Sequence, residues 1–198
     1  MSKPYSEACE RNQKPIFDVI EPYLVSCRSL LELGSGTGQH AIYFGRRLKH
    51  LSWQTSDLRS NHHGINQWIK ESDIGNILPP IPLDVLNDEW PKTLYEASFS
   101  ANTAHIMPWE AVEAAFYGLS RVLKPEAPLL IYGPFNYKGK FTSESNCQFD
   151  RWLKQQHAHQ GIRDFEAMCL LGEKNGFQFE KDIAMPANNR ILVWVKKQ

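Results

Sequence analysis

The sequence predicts an α/β fold: one seven-stranded, mostly parallel sheet with helices on both faces, closed by an antiparallel hairpin. Three observations predict it. Short apolar strands alternate with helical stretches from residue 14 to residue 133. The first strand runs directly into a glycine-rich turn, in LLELGSGTGQH, residues 30–40. The last two strand-like stretches, FQFEKDIAM and RILVWVKK, are separated only by PANN, residues 186–189. A connection that short makes them antiparallel neighbours. The earlier alternation gives a parallel sheet covered on both sides. Ligands of such sheets lie beyond the carboxyl ends of the strands, where strand order reverses.

The elements follow in order. KPIFDVIEPYLV, residues 14–25, reads as a helix begun by Pro15, with Ile16, Val19, Ile20, Tyr23 and Leu24 on one face. SLLELG (29–34) is a short buried strand, and GQHAIYFGRRLKH (38–50) the helix after it. LSWQTSD (51–57) alternates as a strand and ends in an acid; NHHGINQWIKESD (61–73) is a helix broken near Gly75. PPIPLDVL (79–86) holds a third strand, which Pro82 restricts to a sheet edge. EASFSANTAHI (96–106) holds a fourth. EAVEAAFYGLSRVLK (110–124) is the most amphipathic helix; it stops at Pro125, and APLLIYG (127–133) is the fifth strand. Residues 134–146 then form a polar, glycine-bearing loop. CQFDRWLKQQHA and DFEAMCLLGEKNG are two helices, the second closed by Gly176.

Bulk properties narrow the function. A chain of 198 residues suits a single domain spanning 1–198. Lys+Arg and Asp+Glu balance at 22 each, so the basic excess of a nucleic-acid binder is missing. The four cysteines form no CxxC and no zinc-site spacing, and no metal is expected. The N-terminus lacks a signal peptide's apolar core, and no apolar run approaches the roughly 20 residues of a membrane span. The expectation is a cytoplasmic protein with a small-molecule partner, no nucleic acid and no membrane.

The glycine turn decides among ligands. A P-loop needs GxxxxGK[ST], and no lysine follows these glycines. A dinucleotide turn needs GxGxxG, and Gln39 stands at its third position. The chain instead has GxGxG, Gly34, Gly36 and Gly38, with Glu32 two residues upstream. Alone, that pattern also suits a tight strand-to-helix turn holding no ligand. With Asp57 and Asp84 at the next two strand ends, it resembles the first motifs of class I S-adenosylmethionine-dependent methyltransferases.

That resemblance implies a Rossmann-like class I methyltransferase fold and S-adenosylmethionine as cofactor, leaving S-adenosylhomocysteine as product. It implies that Glu32, Gly34, Ser35, Gly36, Thr37 and Gly38 surround the amino acid end. Asp57 takes the ribose hydroxyls, Asp84 and Val85 lie by the adenine, and Asn102 is a cofactor or loop contact. The passage GLSRVLKPEAPLLIYG also fits, although Glu126-Ala127 stands where a Gly-Gly turn is usual; a slightly different turn is expected. Seven segments, ERNQKPI, SGTGQHA, HIMPWEA, YGPF, SNCQFD, GIRDFEAM and MPANN, resemble an uncharacterised methyltransferase-like family of bacteria and animals, from Glu10 to Val195. The fourth strand end departs from it, reading NTAHIMPW where NMIHISPW is usual. That family carries no assigned substrate.

For the chemistry, the [DN]PP[YF] of amino-group methyltransferases is missing after the fourth strand. His105 is the candidate general base, or else orients its loop through a hydrogen bond. Arg11, Asn12, Tyr132, Asn136, Tyr137, Asn146 and Asn189 are candidates for the acceptor pocket, with Asn146 also placed as a helix N-cap. Arg163 and Asp164 are expected to form a structural ion pair. Residues 1–25 are expected to cap the site, and 134–164 to form a substrate-side insertion. The rival readings are an NAD-dependent oxidoreductase and a non-catalytic S-adenosylmethionine-binding module.

Overall fold

A computed structural model describes residues 3–198. The chain runs α1 (Glu7–Leu24), β1 (Ser29–Leu33), α2 (Gln39–Gly45), β2 (Ser52–Asp57), α3 (His62–Ser72), β3 (Ile77–Pro82), β4 (Ala97–Ala101), α4 (Trp109–Val122) and β5 (Pro128–Gly133). It continues with β6 (Phe135–Asn136), α5 (Glu144–Gln156), β7 (Arg163–Asp164), α6 (Phe165–Lys174), β8 (Phe177–Met185) and β9 (Asn189–Lys196). Seven strands form one sheet in the order β3-β2-β1-β4-β5-β9-β8. β1 to β5 are parallel, and β9 runs antiparallel to both β5 and β8. Strand order therefore reverses between β1 and β4, and the glycine turn leaves β1 at that point. Pro82 ends β3, an edge strand, where a missing N–H costs no ladder bond.

Each face of the sheet has its own core. On one, α1 and α2 cover Trp53 and Phe99, with Phe44 at 5.5 Å from both rings. On the other, α4 and α6 cover Leu129, Leu192 and Trp194, and Phe116 meets the Trp194 ring edge-on at 5.6 Å. The strands are apolar on both faces because both are covered, which is why β5 reads as a continuous apolar run.

The structure differs from the sequence reading in four places. α1 starts at Glu7, capped by the Ser6 side chain, and Pro15 and Pro22 lie inside it. α2 ends at Gly45, well short of His50. The loop after β5 is more ordered than a polar stretch suggests: β6 pairs with β7, and Lys138-Gly139, at φ 51 and 68, form a two-residue turn between Tyr137 and Lys140. α5 begins at Glu144, with Ser143 as its N-cap, and Asn146 lies in its first turn. Among the described residues no helix is long and apolar enough to cross a membrane, and no cluster of three or more metal-ligating side chains occurs. All four cysteines are free; Cys27 is buried and the others are partly exposed.

Candidate functional site

A cavity of about 1200 Å³ opens at the carboxyl ends of the parallel strands. The glycine turn forms one wall. Gly36, at φ +58, is in the left-handed region, and a Cβ built on it would meet nothing within 4 Å. Its backbone thus faces open cavity. Gly34 is tight instead: a Cβ there would come within 2.6 Å of the Thr103 hydroxyl. Thr103 belongs to the NTAH departure at the end of β4, so that change packs beneath the turn.

Four amides of this turn, those of Gly34, Ser35, Gly36 and Gly38, are bonded within the protein. Gly34 and Ser35 both donate to the Ser56 carbonyl, and Gly38 donates to the Ser35 carbonyl. Gly36 N–H donates to Asp57 Oδ2 at 2.6 Å. Asp57 Oδ1 accepts from Leu58 N–H at 2.7 Å and from the Asn61 side chain at 2.8 Å. Three of the carboxylate's about four acceptor positions are filled, and the remaining one is on the oxygen beside Gly36. Asp84 and Val85 line the cavity after β3. The Asp84 carboxylate also accepts from Leu86 N–H and the Asn87 side chain, which shapes that loop. Asn102, at φ 58, ends β4 in the left-handed conformation and also lines the cavity.

Glu32 and Gly38 lie outside the lining. The Glu32 carboxylate is buried under the turn and accepts from Ser35 Oγ at 2.7 Å and Trp53 Nε1 at 3.1 Å. Burial pushes its pKa up to about 7. Its direct partners are thus the turn and the core. Gly38 lies outside the cavity lining, where a Cβ would come within 3.2 Å of the Ile65 α-carbon.

The N-terminal segment closes one side. Ser6 N–H donates to Gln39 Oε1 at 2.6 Å, and Gln39 Nε2 donates back to the Ser6 carbonyl. His40 Nε2 donates to Asn12 Oδ1 at 2.7 Å. Trp68 Nε1 donates to the Pro4 carbonyl, with the Lys3 ammonium 3.7 Å above the indole. Asn12 and Arg11 both line the cavity, Arg11 at its exposed rim beside Glu7. His40 is buried against Phe44, and burial lowers its pKa to about 4. Sequence reasoning missed Gln39 and His40 as docking residues; the signal was the polar side chain at the third glycine position.

His105 lies on the far side, 4 % exposed and lining the cavity. Burial, and the Arg163 guanidinium nearby, lower its pKa to about 4. Its ring is edge-on to Phe149 at 5.4 Å, and the described residues form no hydrogen bond to either ring nitrogen. The backbone holds the loop instead. The His105 carbonyl accepts from Gly161 N–H, and Arg163 donates to the carbonyls of Ala104, Met107 and His159. The expected Arg163–Asp164 ion pair does not form: Arg163 bonds these carbonyls, while Asp164 accepts from Gly139 N–H.

The acceptor-side candidates divide. Tyr132, Asn146 and Asn189 line the cavity with Arg11 and Asn12. Burial raises the Tyr132 phenol's pKa. Asn146 donates to Thr142 Oγ1 and to the Asn188 carbonyl, fastening the hairpin turn to α5. Asn136 and Tyr137 do not line it. The β6–β7 pairing turns Tyr137 toward β8, where its hydroxyl donates to Asp182 at 2.6 Å and its ring stacks on Phe165; Asn136 donates to the Ile162 carbonyl. Phe149 and Trp152, which line the cavity from α5, were missed; at i and i+3 in CQFDRW they read as ordinary helix packing.

A family model described as a protein of unknown function, DUF938, matches residues 3–196. Among solved structures, an O-methyltransferase family protein from Burkholderia thailandensis superposes with a TM-score of 0.84 at 16% identity, covering 97% of this chain and 58% of that one. The mitomycin 7-O-methyltransferase MmcR superposes at 0.80 and 14% identity, covering 94% and 54%. Human N-acetylserotonin methyltransferase, solved in complex with SAM, superposes at 0.76 and 15% identity, covering 97% and 53%. The chain thus has the Rossmann-like methyltransferase fold and spans little more than half the length of these structures.

Proposed function

The chain belongs to the DUF938 family, and from the geometry of its own cavity we propose that it is an S-adenosylmethionine-dependent methyltransferase acting on a small molecule. One observation carries the reading: at the glycine turn the N–H groups of Gly34, Ser35, Gly36 and Gly38 are bonded within the protein, and a carboxylate, Asp57, is locked against Gly36. A pyrophosphate needs free N–H groups at close range, and a dinucleotide turn needs a glycine where this chain has Gln39. A ligand without phosphate, carrying ribose hydroxyls and a cationic end, suits the same surface. This weighs against NAD. The cavity also exceeds the ~300–1,000 Å³ of a typical single-ligand pocket, leaving room for an acceptor beside the donor. The similar solved structures are methyltransferases by name, which agrees with this reading.

Each residue's part follows from its contacts. Gly34 and Gly36 let the turn approach the amino acid end, with Ser35 and Thr37 beside it. Asp57 takes one ribose hydroxyl on its remaining acceptor position. Asp84 and Val85 border the adenine, and Asn102 holds the turn after β4 between donor and acceptor. The donor supplies a methyl group on a sulfonium. The protein's task is to hold an acceptor in line with that methyl, remove its proton and keep water out. His105 is neutral at pH 7, and its unpartnered ring nitrogens leave it free to take that proton.

The test is calorimetry with S-adenosylhomocysteine and with NAD, on the unaltered protein and on Asp57→Ala. The proposal expects S-adenosylhomocysteine to bind, NAD not to, and the variant to lose roughly 1–3 kcal/mol of affinity. NAD binding in place of S-adenosylhomocysteine overturns it. Turnover against a metabolite extract then separates an enzyme from a binding module.

A further inference from the structure

The half of the cavity away from the glycine turn has its own chemistry. Among the described residues the only acidic side chains lining the cavity, Asp57 and Asp84, stand at the ends of β2 and β3, on the donor side. Arg11 is the only lysine or arginine in the lining among those residues, and it sits at the rim, 71 % exposed and paired with Glu7. Arg163 lies nearby, but its guanidinium is committed to three backbone carbonyls. The interior of the acceptor half therefore offers no acid, lysine or arginine to pair a buried charge; His157 and His159 also line the cavity but are exposed, and an unpaired charge brought inside loses its hydration without compensation.

What this half does offer is aromatic. Trp152, Phe149 and His105 form a continuous run from mouth to interior. The Trp152 and Phe149 rings are stacked, 5.8 Å apart and 13° from parallel, and Phe149 meets the His105 ring at 75°. Trp152 is 52 % exposed although it lines the cavity, and Ile106, 47 % exposed, stands on the same rim. An indole left half in water at a cavity mouth has apolar surface still to bury. At the inner end of the run, His105 presents ring nitrogens with no hydrogen-bond partner.

We infer that the methyl acceptor is an uncharged aromatic hydroxyl compound, seated along the Trp152–Phe149 run with its hydroxyl at His105. This rests on the methyl-transfer reading. The aromatic body gains ring contacts that an aliphatic chain of equal area does not. A hydroxyl suits the inner end: it donates to a neutral imidazole nitrogen and brings no charge into an unpaired setting. The reaction balances without a further reactant. The acceptor's O–H bond breaks and its proton passes to a His105 ring nitrogen. The oxygen forms the new O–CH₃ bond, and the breaking C–S bond leaves its electron pair on sulfur.

Three probes share one flat body and carry a neutral, an anionic or a cationic group at neutral pH: naphthol, naphthoate and naphthylmethylammonium. Their binding is measured by calorimetry with and without saturating S-adenosylhomocysteine. Naphthol is expected to bind at least roughly tenfold more tightly than either ion. Trp152→Ala, at a half-exposed position where the fold tolerates it, is expected to weaken naphthol about three- to tenfold while leaving S-adenosylhomocysteine affinity within about twofold. An ion binding as tightly as naphthol, naphthol failing to bind, or naphthol affinity unchanged in Trp152→Ala each overturns the acceptor assignment. Failure of S-adenosylhomocysteine to bind is a separate result: it sinks the donor reading, while the ranking of the three probes still tests the acceptor half by itself.

Discussion

Replacing Gly36 by alanine separates folding from ligand binding at a single atom. The residue sits at φ +58, where a side chain costs roughly 1–2 kcal/mol through its contact with the following carbonyl. Alanine also narrows the unfolded ensemble, returning about 0.4–1 kcal/mol. No steric cost adds to this, because the new Cβ would meet nothing within 4 Å. The net loss is about 1 kcal/mol, or a fall of about 2–4 °C in Tm for a domain of this size. The same methyl points into the space assigned to the donor's amino acid end and beside the Gly36–Asp57 bond. Affinity for S-adenosylhomocysteine should therefore fall at least about 100-fold, equivalent to ~2.7 kcal/mol. Thermal melting and calorimetry on one preparation give both numbers. A folded variant that keeps its affinity for S-adenosylhomocysteine refutes the placement of the ligand; a variant that does not fold refutes the claim that the position is open.

Three further outcomes are expected. If His105 is the base, His105→Asn should lower turnover by about 10²–10⁴-fold with donor affinity intact, and the acid limb of kcat/KM should lie near 4 rather than at the ordinary 6.5; near-normal turnover with an unchanged profile removes the role. Glu126 occupies φ +66, so Glu126→Gly should raise stability by up to about 1 kcal/mol, about 2–4 °C in Tm, and a drop in Tm would count against strain at that turn. Stability should also fall on acidification. His40 and His105, both lowered to about 4, contribute stability that is present above 6.5 and lost as pH falls through 4. Glu32, raised from 4.5 to about 7, contributes the opposite, present below 4.5 and lost as pH rises through 7. Between 4.5 and 6.5 the unfolded chain binds two of these protons and the folded chain one, a net slope of roughly 1.4 kcal/mol per pH unit. Glu32→Gln should steepen that slope, and a Tm that stays flat from pH 6.5 to 4.5 would contradict these burials.

What the sequence made legible is local. Gly34, Gly36 and Gly38 report a backbone that must turn sharply after a buried strand, and the spacing itself carries that. Asp57 ends an alternating strand, so its place at the sheet's carboxyl edge could be counted off. Other features depend on which distant segments meet. Pro15 looks like a helix start because proline favours the first turn, yet Ser6 is the cap and the helix passes through the proline. Tyr137 follows the strand nearest the proposed methyl, yet two residues of β6–β7 pairing send it to Asp182. Arg163 has an acid beside it in sequence and bonds three carbonyls instead, two in the loop after β4 and one in the segment between α5 and β7. Phe149 and Trp152 have helical spacing, which says they share a face and leaves open whether core or cavity lies opposite.

Gln39 joins the two kinds of information. In a dinucleotide turn the third glycine lets helix and strand pack closely around a pyrophosphate. Here that position carries an amide that both accepts from and donates to Ser6, while its carbonyl also accepts from Thr37 Oγ1 at 3.0 Å. The residue that departs from the dinucleotide pattern is therefore the one that ties the start of α1 to the glycine turn. With His40 holding Asn12 one turn further along, the wall of the cavity and the base of the turn form one hydrogen-bonded unit. A turn built this way gains a covering helix where a phosphate site would keep open amides. Gln39 thus fixes where the first α-helix begins, by holding both the N–H and the carbonyl of its N-cap residue, Ser6, against the glycine turn.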